Sequence, residues 1–129
     1  MKRIISILAS FFAASVSAKD EPHPVWPDLK GIECVSGRAA TREDVDSGRA
    51  VFVLMDADKP IGIPIKIRLP QYAFHVDAET KKRTPCVVIQ AEEARGQKLI
   101  GCRILSGGKI MAGFLAEFIL LGEKAPKLE

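Results

Sequence analysis

Histidine and cysteine are scarce. The 129 residues hold two histidines, His23 and His75, and three cysteines, Cys34, Cys86 and Cys102. None of them stands at a C-x-x-C or H-x-x-x-H spacing, so the chain carries no local metal-ligand motif and no cofactor is expected. No serine lies in G-x-S-x-G, which removes the nucleophile elbow of acyl hydrolases. Ser106-Gly107-Gly108-Lys109 lacks both the upstream glycine of a phosphate loop and a Ser/Thr after the lysine, and reads as a turn. Asp56 and Asp58 lack the later glycine and glutamate of a calcium loop, and with Pro60 they too make a turn. Glu92 and Glu93 are adjacent, so on an extended strand they face opposite sides and are not a ready acid/base pair.

Long apolar runs and charge of one sign are missing as well. The longest apolar stretch, Ile4–Val16, is 13 residues, too short for a helix to cross a hydrocarbon core of about 30 Å. Lys+Arg number 19 against 16 Asp+Glu, but Lys2 and Arg3 belong to the first 18 residues. Without them the balance is 17 to 16, which offers no electrostatic case for nucleic acid or an anionic membrane as partner. Lys81-Lys82-Arg83 is a solvated turn. Aromatics make up 6% of the chain, so a core must rest mainly on Val, Ile, Leu and Ala.

What is present begins at the N-terminus. Met1-Lys2-Arg3 is a basic start, Ile4–Val16 is an apolar stretch with scattered serines, and Val16-Ser17-Ala18 offers small residues to a peptidase. That is the layout of a secretory signal peptide, residues 1–18, cut after Ala18. The remaining 111 residues suit one domain with one core. The protein is accordingly expected in the periplasm or outside the cell. Residues 19–30 hold Pro22, Pro24 and Pro27 and form an extended arm anchored by Trp26. Residues 31–122 form the domain, and residues 123–129 are a polar tail.

The domain is organised around Thr84–Leu105. Two runs rich in Val and Ile, Cys86–Ile89 and Leu99–Leu105, flank the polar segment Gln90–Lys98 with its Gly96. This predicts a β-hairpin turning near Ala94–Gln97, with Cys86 opposite Cys102 or one residue from it. In an oxidising compartment that register favours a Cys86–Cys102 disulfide and leaves Cys34 buried; the alternative is three buried, unpaired thiols. Further strands are predicted over Gly31–Ala39, Ala50–Met55, Ile61–Leu69 and Gln71–Val76. Pro64 places the third of these on an edge or at a bulge. Thr41 caps a single helical turn that Gly48 ends. Ile110–Leu121 fits a buried central strand, although Ile110, Phe114, Phe118 and Leu121 would also line one face of a helix.

The fold class is therefore mainly β, a small β-barrel or two-layer β-sandwich of six to seven strands with one short helical turn. The functional expectation is a non-enzymatic binding module that recognises a protein or other envelope or secreted macromolecule, of inhibitor or immunity type. Its contact residues are Trp26, a proline-flanked aromatic, and Gln71, Tyr72 and His75 on a proline-bent strand. The competing readings are a thiol- or metal-dependent activity through a free cysteine, Cys34 foremost, and His75, and a structural subunit of an envelope assembly.

Overall fold

The computed structural model describes residues 25–124. The expected signal peptide, His23, the first half of the proline arm and the end of the tail lie outside the described residues. Among the described residues the chain is mainly β, with eight strands in two antiparallel sheets. A short helix, α1 (Arg42–Asp46), precedes a two-stranded ribbon of β1 (Met55–Asp56) and β2 (Lys59–Pro60). The main sheet holds β3 (Ile63–Pro64), β4 (Gln71–Val76), β5 (Arg83–Ala94), β6 (Gln97–Ile104), β7 (Ile110–Phe114) and β8 (Phe118–Gly122). Its order is β7-β6-β5-β4-β8, and β3 pairs with the far end of β5.

The expected hairpin is the spine. β5 and β6 pair from Cys86↔Ile104 to Ala94↔Gln97, and the turn is Arg95-Gly96, both at positive φ (53° and 80°). Two consecutive left-handed residues make the tight reversal that matches strand twist, and glycine fills the second position without strain. The register corrects the cysteine geometry. Cys102 lies opposite Val88, so Cys86 is two residues away, a diagonal neighbour on the same face, and both are free thiols.

The sheet curls without closing. β7 and β8 lie at opposite ends of the order, which in a flat sheet means four spacings of about 4.8 Å, roughly 19 Å. Yet only a 3-10 turn, Leu115–Glu117, joins them. A turn rising about 2 Å per residue reaches across only if the sheet bends back on itself. Gly113 of β7 marks the approach, because a Cβ there would sit 3.1 Å from the Phe118 ring. The curl encloses Ala73, Cys86, Val88, Ala91, Ile100, Cys102 and Phe118, lidded by Ile65, Ile67 and Leu69. The outer face, with Tyr72, Val87 and Ile89, is covered by Trp26, Leu29, Ile32, Cys34 and Val51 from the N-terminal segment. The fold is a curled sheet under an N-terminal layer, not a closed barrel.

Several expected strands are coil. Gly31–Ala39 pairs with no strand among the described residues: Ile32 and Cys34 dock by side chains, and Gly31 and Gly37 take positive φ. Of Ala50–Met55 only Met55 enters a ladder, because a side chain, described below, replaces the partner strand. Ile61–Leu69 pairs only at Ile63–Pro64, on an edge as Pro64 requires. There Ile63 turns outward while Ile65, Ile67 and Leu69 face the core. Residues 110–121 are neither one strand nor one helix but β7, the 3-10 turn and the start of β8. The helical turn at Thr41 is present, with Thr41 and Asp44 completing a capping box.

Candidate functional site

The predicted contact residues are mostly engaged inside the protein. Trp26 is half-buried, its ring edge-on to Tyr72 at 5.3 Å and to Phe74 at 5.6 Å. The Tyr72 hydroxyl donates to the Pro27 carbonyl, and Gln71 donates to the Arg68 carbonyl and accepts from the Gly122 amide. Gln71 and Tyr72 are each 5% exposed. Trp26 and Tyr72 are brought together and Gln71 and His75 share the strand's other face, so the four form no single surface.

His75 Nε2 lies 2.8 Å from Glu117 Oε1, and its ring stands edge-on to Phe118 at 5.0 Å. The contact with His75, together with the Phe114 amide, holds the Glu117 carboxyl below its ordinary range. The thiols are sealed: Cys86 and Cys102 are 0% exposed, and contact with Cys86 plus burial raises the Cys102 thiol far above its ordinary value. Burial also raises the half-buried Cys34. Thiolate chemistry is thereby disfavoured at Cys34 and Cys102; contact with Cys102 lowers the Cys86 thiol, which is sealed from solvent in the same apolar shell. Among the described residues no three His, Cys, Asp or Glu converge as a metal site.

A second polar cluster fastens the N-terminal layer. A bulge after Val88 makes Ile89 an extra residue, so Val87, Ile89, Gln90 and Glu92 all face that layer. Gln90 Oε1 accepts from the Val51 and Phe52 amides at 2.6 and 3.0 Å, and Nε2 donates to the Phe52 carbonyl at 2.8 Å. Glu92 Oε2 accepts from the Ala40 amide and from Gln90, and its Oε1 is buried without a partner. Burial raises the Glu92 carboxyl. Nearby Asp44, 1% exposed, is held far below its ordinary value by Arg38, with Thr41 and Arg49 adding bonds. As expected, Glu92 and Glu93 part company: one is buried, the other lies at the surface edge. These groups are consumed by structure.

Two shallow grooves flank them. One of about 510 Å³ lies between α1 and the β1–β2 ribbon, with Val45, Phe52 and Met55 among its walls. Another of about 320 Å³ lies beside Ile32, Val87 and Leu105, with Arg103 at its rim. Neither gathers convergent catalytic groups.

The open site is the β7 edge. Among the described residues β7 has β6 as its single neighbour, and its sequence Ile-Met-Ala-Gly-Phe carries no charge and no proline. Its polar groups can be assigned to sides. The Lys109 carbonyl accepts from Ile104 on β6, whereas the Phe114 amide points away from β6 and donates to Glu117 Oε2 at 3.0 Å. Alternation then places the N–H and C=O groups of Ile110 and Ala112, and the Phe114 carbonyl, on the free edge. The same residues present an apolar outer face: Ile110 is 49% and Phe114 50% exposed, with Ala112 exposed between them. Natural sheets blunt such edges with lysine, proline or a bulge, and none interrupts this strand. Reading Ile110–Leu121 as a buried strand missed this site, since only the strand order reveals which run is terminal.

Compared with protein-family models, with curated proteins and with solved structures, the chain has no match.

Proposed function

We propose that this chain is an exported, non-enzymatic binding module that takes up an extended segment of an envelope or secreted protein on the open edge of β7. The observation that carries the reading is the conjunction at β7 of unpaired main-chain groups with exposed Ile110 and Phe114. Main-chain bonds supply affinity in strand addition, and alternating side chains supply selectivity. Export rests on the basic start, the 13-residue apolar stretch and Val16-Ser17-Ala18. The inhibitor or immunity type is one form of such a module, since an added strand can block a partner's surface.

The test is capture from an envelope extract by the immobilised chain and by its Ala112→Lys variant. A partner retained by the wild type and lost from a variant that melts at the same temperature supports the reading. Equal capture by both overturns it. Export is checked by the N-terminal mass of the extracted protein, which should begin at Lys19; an uncut cytosolic form removes that part.

A further inference from the structure

We propose that, until its partner arrives, the β7 edge is covered by β7 of a second copy, running antiparallel about a two-fold axis through Ala112. The inference rests on β7 being a docking edge and names its resident occupant. A closed two-fold interface uses one patch twice, so the patch must complement itself. This one does. Centring the pair on Ala112 sets Ala112 opposite its own copy and Ile110 opposite Phe114. Those are the residues whose main-chain groups face the free edge. Two bonds form between the Ala112 pair, and two more run from the Ile110 amides to the Phe114 carbonyls. The same pairing brings the other copy's Ile110 carbonyl to the Phe114 amide, where it takes the place of Glu117 Oε2 and frees that carboxylate.

The side chains fit the same register. Ile110, Ala112 and Phe114 share the exposed face, so each Phe114 ring covers the other copy's Ile110 while the small Ala112 pair leaves room between them. No charge opposes itself across the axis. Charge at the ends is complementary, because Lys109 enters β7 and Glu117 follows it. Antiparallel pairing therefore carries the cation of one copy toward the carboxylate of the other. Five residues a side make a weak, exchangeable dimer, as suits an edge that must later be given up.

Light scattering and sedimentation of the purified full chain over a dilution series test this. The expected result is a dimer that dissociates on dilution, and loss of the dimer in Ala112→Lys and Ala112→Pro at an unchanged circular dichroism spectrum. Ala112→Cys in a Cys34→Ser background should be joined to itself by a short bis-maleimide, whereas Cys34→Ser alone should not. A wild type that is monomeric at every concentration overturns the second copy and leaves the docking edge to the capture experiment. A dimer that survives Ala112→Lys, or that Ala112→Cys fails to cross-link, places the contact elsewhere and overturns the inference. If such a dimer also captures its partner equally well with and without the substitution, the docking edge falls with it.

Discussion

The side-chain amide of Gln90 pairs with Phe52 as a neighbouring strand would, accepting from its N–H at 3.0 Å and donating to its carbonyl at 2.8 Å. One completely buried side chain thus serves the main chain of a segment that has no ladder of its own. Removing it strands the amides of Val51 and Phe52 and the Phe52 carbonyl. Each buried polar group left unpaired costs about 1–3 kcal/mol. Gln90→Leu should therefore lower unfolding stability by about 3 kcal/mol in urea titration, with the N-terminal layer exchanging its amide hydrogens first.

Gly62 is required by what it touches. A Cβ at this position would lie 1.8 Å from Glu92 Oε1 and 2.9 Å from Cδ, but at an ordinary 3.4 Å from Cβ. Gly62→Ala should destabilise by about 2 kcal/mol or more through overpacking. In an Glu92→Ala background the added cost should shrink toward zero, because only the tolerated Cβ contact survives. Additive costs in the double-mutant cycle would contradict the contact.

The two buried carboxyls impose opposite pH dependences. Burial raises Glu92 above its ordinary value of 4.5, so the folded state favours the neutral acid. Its contribution is full below that value and is lost as pH rises through the folded-state value. Asp44 is lowered from 3.8 by Arg38, so its contribution is present above that value and lost as pH falls. Urea midpoints measured in steps upward from pH 4.5 should show Glu92→Gln gaining on the wild type as pH rises. A difference that does not change with pH would refute the assignment.

Cys86 and Cys102 are neighbours without being bonded. Alkylation after denaturation without reductant should add three labels, at Cys34, Cys86 and Cys102. Under native conditions Cys34, half-buried, should react first, and the two sealed thiols at a rate set by unfolding. A protected pair in the intact mass would show that oxidation has drawn the diagonal neighbours together.

Much of the main sheet is legible from local pattern. Gln71–Val76 is a strand at the expected bounds, and the β5–β6 turn falls where Gly96 marks it. The N-terminal half is not, because Ile32, Cys34 and Val51 are apolar for the sake of docking, which looks the same in sequence as apolar for the sake of pairing. The cysteine register failed at the turn: counting back from Arg95-Gly96 sets Cys102 opposite Ile89, and the bulge there moves it only to Val88, still two residues from Cys86. Tyr72 and Gln71 look like surface chemistry until their distant partners, Pro27 and Gly122, are seen to come from elsewhere in the chain.

Residue order alone determined the β class, the central hairpin, the capped turn at Thr41 and the absence of any local metal or nucleophile motif. These depend on spacing within a few residues, where alternation and turn chemistry act. Which strand ends the sheet, which side of β7 is bare, and how Gln90 and Glu92 reach the N-terminal layer were decided only in three dimensions. Each depends on contacts between residues far apart in the chain, and the curl that brings β7 round to β8 is a property of the whole sheet rather than of any one strand.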